Sequence, residues 1–448
     1  MKLRPIKQPV FWVGLSYFYG LGLVDLAKNG LLKNFFLICL DNDLVVRQLR
    51  QKGVSVFCLE EKIGRQARVV PRNTGHLLSH PLVVDFINQK SGPKTPAVVF
   101  FKPSLKIELL AKKHNWRLIG NSSAINKFWE NKFNFYSQSK KLNLPVLPGE
   151  IILSDKVGFK ELKLKWGLPL IAQTAFGWAG KGSFLIKKRE DWERLTAKSR
   201  LKAKINPYFK SQTLINNACI LPDGQILASP PAWQIGNQKL FATNPLSTCG
   251  REWRGKISSK LRDEIFKITQ KLGKAMFYKG YLGFFGLDFL LSGKDKLFII
   301  ECNPRLTASS VFYYYLEKEA SLTPLLWLHL LSFLKDNEFK TFFRRDGFSF
   351  KGGELVGRNT TSKELVIGSG LISGRYSLKG KFLGKGVFPR SKKELVLFYP
   401  YSKRLIKPGD ENLRIATRER IVNEQGKINP NILKIRNKKP SAWLKKKK

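Results

Sequence analysis

Residues 283–305 read GFFGLDFLLSGKDKLFIIECNPR, two apolar runs of strand length joined by Ser292-Gly293-Lys294-Asp295. A short turn rich in Gly and Asp between two such runs predicts a β-hairpin. Each run carries one acid, Asp288 in the first and Glu301 in the second. With Leu291 facing Lys296 across the turn, Asp288 falls opposite Ile299 and Glu301 one diagonal step away. Side chains alternate along a strand, so Ile299, Glu301 and Asn303 are expected on the face of Asp288. Diagonal partners lie about 7–8 Å apart at the backbone, and carboxylate arms from both reach a common cation at about 2.1 Å. Asn303 adds a neutral oxygen, and Arg305 joins the same face if the chain stays extended past Pro304.

Acids are scarce in this chain, 33 Asp and Glu against 80 Lys and Arg, for a formal charge of +47. Embedding two of them in apolar strands is costly unless they are paired or metal-bound. The alternative is a pair of structural carboxylates satisfied by lysines. The basic excess makes the surface attractive to nucleic acid, anionic lipid and nucleotide phosphates without choosing among them. With 43% hydrophobic and 12% aromatic residues over 448 positions, large cores are affordable and global disorder is excluded.

Five cysteines lie far apart with no C-x-x-C pair, and the four histidines include no H-E-x-x-H. A disulfide scaffold and a zinc site are therefore not expected, and a reduced, cytoplasmic setting fits best. The apolar run at 10–24 follows Lys2, Arg4 and Lys7 as in a signal peptide, but Gly14, Gly20 and Gly22 interrupt it. It reads as a buried first strand entering a glycine-rich turn. No membrane span is expected, since the run at 325–334 is too short to cross a bilayer.

Residues 1–122 alternate short apolar strands with helices, the pattern of a parallel, Rossmann-like sheet. Gly20 and Gly22 do not complete a G-x-G-x-x-G, because Asp25 holds the third position. Residues 123–345 open with a helix predicted over 124–142 and include a well-patterned helix at 260–278. There Leu261, Ile265, Ile268, Leu272 and Met276 recur at helical spacing. Residues 346–432 are rich in Gly and β-formers and predict a small β-rich domain, followed by a basic tail at 433–448 expected to be disordered. The fold class expected is thus mixed α/β and α+β.

A second motif, PLIAQTAFGWAGKGSFLI at 169–186, places Gly177, Gly180, Lys181 and Gly182 between two apolar strands. Glycines let backbone N–H groups approach an anion closely, and Lys181 adds charge. The P-loop pattern is absent, and a flexible hairpin would read the same way.

The order of these parts resembles the ATP-grasp superfamily over roughly residues 5–345, with E-C-N-P-R at 301–305 as the most specific segment. The trailing β domain looks like the cap of the biotin-carboxylase-like branch. The resemblance implies a Rossmann-like domain, a two-lobed ATP-grasp domain and a small β-rich domain. It implies ATP and Mg2+ (two ions, with Mn2+ as a substitute) held by Asp288, Glu301 and Asn303. Arg305 would orient the transferred phosphoryl group, and Lys132 would be the first phosphate-binding lysine. Gly177, Gly180, Lys181 and Gly182 would close over the phosphates, Lys181 as a further catalytic cation. Gln173 stands where a second lysine is usual. The stretch at 210–219, KSQTLINNAC, matches the hinge that meets adenosine but contains no acid, leaving Asn216 or Asn217 as substitutes.

The implied reaction is attack of a substrate carboxylate on the γ-phosphate, then displacement of phosphate from the acyl phosphate by an amine. Arg251, Gln234 and Thr307 are candidates for contacting these small-molecule substrates. Arg251 also reads as a surface Arg–Glu pair with Glu252. The alternatives are carboxylation through carboxyphosphate and, in another class, a non-catalytic nucleic-acid or anionic-surface binder. Nucleic-acid binding is compatible with the charge but not required by it, and a homo-oligomer is allowed.

Overall fold

The first strand, Ile6–Gly14, sits in the middle of a five-stranded sheet in the order Ser55–Cys58, Leu32–Cys39, Ile6–Gly14, Ala97–Phe100, Arg117–Ile119. All of its pairings are parallel. The apolar run is buried on both faces, because Val10 and Trp12 enter one core while Phe11 and Val13 enter another. Helices cover both faces of a parallel sheet, which explains a near-continuous apolar strand in place of an alternating one. The chain reverses sheet direction between Ile6–Gly14 and Ala97–Phe100, the place where open α/β sheets present a crevice.

This computed structural model describes residues 4–42, 44–177, 182–197, 200–244, 246–253, 257–293, 296–334, 350–366, 372–399, 405–423 and 425–437. Gly180, Lys181 and positions 438–448 of the basic tail lie outside them. Positions 433–437 of the expected tail belong to the helix Pro430–Asn437, which docks Ile432 into the core.

Glu150–Leu153, Lys202–Pro207, Leu170–Gln173 and Ser183–Ile186 form an antiparallel four-stranded sheet in that order. Its apolar face packs Ile152, Ala172, Ala203 and Ile205 against Leu162 and Trp192. An eleven-stranded sheet makes up the rest. Ser211–Ile220 lies beside Gly283–Ser292, which pairs with Lys296–Asn303 at the edge. In the other direction the sheet passes through Ala232–Gly236 and Thr248–Trp253 to Gly352–Arg358 and the β-rich C-terminal strands. The ladder is therefore continuous across the boundary expected near 345.

The large sheet has two distinct faces. Leu214, Ala218, Leu287, Phe289, Leu297 and Ile299 pack on helix Ser259–Tyr278 through Ile265, Ile268, Leu272 and Met276, as the helical spacing predicts. The opposite face carries Ile215, Ala232, Trp253 and Phe284 toward the N-terminal sheet. Among the described residues no helix is long and apolar enough to cross a membrane.

Candidate active site

The hairpin forms, with a register different from the expected one. Ser292 pairs with Lys296, Phe289 with Ile299, and then the ladder skips Ile300 so that Asp288 faces Glu301 directly. The skipped residue is a β-bulge, and it changes which side chains share a face. Leu297 and Ile299 stay in the core with Cys302, while Glu301 and Asn303 turn toward the cleft. Ile299 is thus not on the face of Asp288. Without the bulge, Leu297, Ile299 and Glu301 would share one side, and either an acid would enter the core or two aliphatic groups would leave it.

Asp288 is partly exposed, yet enclosed by protein on most sides. Burial first, and the facing Glu301 second, push its carboxyl up to about 7. Gln234 Nε2 donates to Asp288 Oδ1 at 3.1 Å, and Thr248 Oγ1 donates to Gln234 Oε1 at 3.0 Å. Asn303 directs its amide nitrogen toward Asp288 Oδ2 at 3.5 Å and accepts from an Arg305 guanidinium nitrogen at 3.0 Å. Offering oxygen to a cation requires this amide to turn over. No group of three or more His, Cys, Asp and Glu side chains suited to a metal occurs among the described residues. The donor set here is two carboxylates and an amide.

Lys132 reaches the pair from another element. The single helix expected over 124–142 is two helices, Ser123–Glu130 and Lys132–Lys141, broken at Asn131. Asn131 takes an extended conformation, and its side chain accepts from the backbone N–H of Phe133 and of Asn134. An N-cap of this kind starts a helix afresh. The break lets Lys132 N–H donate to Ala175 O at 2.9 Å, tying the helix start to the turn that leads from strand Leu170–Gln173 toward the glycine segment. Lys132 is 5% exposed, and its Nζ lies 2.7 Å from Glu301 Oε2.

Arg305 stacks over Phe101, at the end of the central parallel sheet, with 5.3 Å from guanidinium carbon to ring centre. Its Nε is 3.5 Å from Glu130, which also pairs with Lys102 at 2.6 Å. Thr307 and Ser309 do not cap the helix Ser310–Glu319 through their side chains. Thr307 donates to Asn217 Oδ1 at 3.0 Å, and Asn217 Nδ2 donates to Ser309 Oγ at 3.0 Å. Gly286 permits this approach, since a Cβ there would meet Thr307 Cγ2 at 2.5 Å.

Asn217 therefore lies one row from the acidic pair. The stretch expected as the adenosine-binding hinge is the strand Ser211–Ile220, paired with Gly283–Ser292 along its whole length. The connection between the four-stranded and large sheets is residues 208–210. Asn216 points to the opposite face, bonded to Ser229 and Thr269. Arg251 pairs not with Glu252 but with the buried Glu354, at 2.7 Å. That partner comes from the β-rich strand Gly352–Arg358 directly across the ladder. Burial pushes the Glu354 carboxyl up against the pull of Arg251. Gln173 donates to Ser183 Oγ at 3.1 Å. Gly182 has φ +90, a conformation that favours glycine, and returns a carbonyl to Thr174 N–H at 2.9 Å.

One residue escaped the sequence analysis. Lys204 lies across the ladder from Gln173, buried, with its Nζ 4.9 Å from the centre of the Tyr136 ring. Its only advance signal was a lysine inside the apolar alternation of Lys202–Pro207.

No protein-family model matches the chain. The carbamoyl phosphate synthase large chain of Clostridium perfringens is 19% identical over 267 residues, 58% of this chain. The chain spans about a quarter of that relative's length, the match covering 24% of it. The biotin carboxylase domain of 2-oxoglutarate carboxylase from Hydrogenobacter thermophilus, in complex with MgADP, ADP and bicarbonate, superposes with a TM-score of 0.62. It is 13% identical, covering 92% of this chain and 86% of that one. N5-carboxyaminoimidazole synthetase from Staphylococcus aureus, complexed with ADP, superposes at 0.57 with 13% identity over 97% of this chain and 98% of that one. The chain has the ATP-grasp fold of the biotin carboxylase type.

Proposed function

We propose that this chain is an ATP- and Mg2+-dependent ligase that activates a carboxylate as an acyl phosphate for attack by an amine. The observation that carries the reading is the directly facing pair Asp288 and Glu301, set beside the buried Lys132 in an acid-poor chain. Two carboxylates on adjacent strands repel when both are ionised, so the pair is suited to a divalent cation. Asp288, Glu301 and, with its amide turned, Asn303 would hold Mg2+. When bound, the metal neutralises phosphate oxygens of the nucleotide. Similarity to folds solved with ADP, and in one case with MgADP, supports the same reading.

The chain's own residues position and neutralise. Lys132 brings a fixed ammonium to the triphosphate. Arg305, held flat by Phe101 and anchored to Asn303, presents its guanidinium where an acyl phosphate would form. The reacting carboxylate oxygen bonds to the γ-phosphorus as the bond to ADP breaks. The amine nitrogen then bonds to the acyl carbon, phosphate leaves, and the ammonium proton goes to solvent or phosphate. The reaction needs no protein nucleophile. Gln234, bonded to Asp288 and laddered to Arg251, and Thr307, bonded to Asn217, are with Arg251 the groups proposed to meet the substrates.

An ADP-release screen with Mg2+ over amino acids, short peptides and bicarbonate, each with and without an amine, tests the reading. Bicarbonate belongs in it because the Hydrogenobacter structure holds that anion. Release that requires both an acid and an amine is the expected result. Release with bicarbonate alone would favour the carboxyphosphate route, and absence of Mg·ATP binding would refute both.

A further inference from the structure

We propose that Lys204 is a triphosphate-binding residue, supplying from strand Lys202–Pro207 the second cation that Gln173 does not provide. The proposal rests on the ATP reading above.

Lys204 is 3% exposed, and among the described residues no carboxylate lies within ion-pair distance of it. Its ammonium lies over the face of Tyr136, whose ring is fixed by an O–H bond to Gly149 O at 2.7 Å. An aromatic face offsets only part of the desolvation of an ammonium. A buried cation with no counter-charge in ion-pair contact is therefore best explained by an anion that enters when the site is in use.

Placement points to the same anion. Lys204 and Gln173 are ladder partners on the face turned away from the apolar core of their sheet. The Gln173 amide is engaged with Ser183, on the far side from Lys204. On the cleft side Lys132 and Glu301 are close enough to act on Lys204, the first lowering and the second raising its proton affinity. Burial is the larger influence, and the net effect lowers that affinity to about 8, so the group still carries its proton near neutrality. Two ammonium groups thus share the single carboxylate Glu301. Once Glu301 turns to a divalent cation, both lysines lose that compensation, and a multiply charged phosphate chain restores it. The remaining lysine on this face of the strand, Lys202, lies over Phe133 at 5.6 Å.

The test is binding of Mg·ATP and of adenosine by titration calorimetry to the wild type, Lys204→Met, Lys204→Gln and the double variant Lys204→Met with Gln173→Lys. Circular dichroism and thermal unfolding without nucleotide accompany the titrations. Lys204→Met is expected to unfold no earlier than the wild type, because it removes a buried unpaired charge. It is expected to weaken Mg·ATP by about 10- to 100-fold, the range of one charge-assisted phosphate contact. Adenosine binding should stay within about twofold, since it offers no phosphate to lose. The double variant should recover most of the loss. If Lys204→Met does not fold, Lys204→Gln carries the same expectation. Wild-type affinity for Mg·ATP retained in the folded variants overturns the proposal while leaving the ligase reading intact. Equal loss of ATP and adenosine also overturns it, as a distortion of the lobe. A wild type that does not bind Mg·ATP refutes the ligase reading and the proposal with it.

Discussion

Asp288→Asn keeps the shape of one of two facing side chains and removes its charge. In the folded protein the Asp288 carboxyl is pushed up to about 7 from an ordinary value of 3.8. Below pH 4 the group is protonated in both folded and unfolded chains and contributes no difference. As pH rises toward 7 the unfolded chain ionises first, so the folded state binds more protons and stability falls. Above 7 the loss is complete. Three pH units at about 1.36 kcal/mol each give an upper figure of about 4 kcal/mol. Solvent at the exposed edge of the carboxyl, and one hydrogen bond with Asn303 that the amide must rearrange, reduce the net gain to on the order of 1–3 kcal/mol.

The magnesium-free variant should therefore be more stable than the wild type at about pH 8 and nearly equal at about pH 4. Urea unfolding followed by tryptophan fluorescence at both pH values measures this. With Mg2+ and ATP at about a hundred times the dissociation constant, the wild type should gain about 2.7 kcal/mol that the variant lacks. A difference between the two proteins that does not change with pH would refute the reasoning, as would a variant less stable than the wild type at the higher pH.

Glu301→Gln should reduce ADP formation by at least about a hundredfold with the fold intact, read by single-turnover nucleotide hydrolysis. Asn131→Ala removes the cap that begins the Lys132 helix. It should lower unfolding free energy by about 1 kcal/mol and raise the KM for ATP, because Lys132 loses its fixed approach to Glu301. Arg251→Met leaves the buried Glu354 without its closest cation and should destabilise by about 3–5 kcal/mol in urea unfolding. Replacing Glu354 by Leu in the same chain should restore much of that loss. If the double variant is worse than the single, the buried pair is not what holds these two strands together.

The charged groups of the candidate site were legible along the chain wherever unlike residues interrupted a regular pattern. Asp288 and Glu301 stand out because strands otherwise made of Phe, Leu and Ile have a reason to exclude them. The helix Ser259–Tyr278 and the parallel N-terminal sheet followed from periodicity, which is a local property. What neighbours in sequence cannot express is pairing between distant strands. The bulge at Ile300 arises because one strand must serve a core on one side and a cleft on the other. The odd spacing of Ile299 and Cys302, both in the core, is its trace in the sequence. Arg251 meets Glu354 across 103 positions, where local reading offers Glu252. Lys204 became a candidate only when the ladder set it against Gln173 and under Tyr136. The sequence alone determined which charged groups a core would not tolerate, since burial energy depends on residue type. The tertiary structure decided which of them face each other, since that depends on register, and a one-residue shift sends a side chain to the other face.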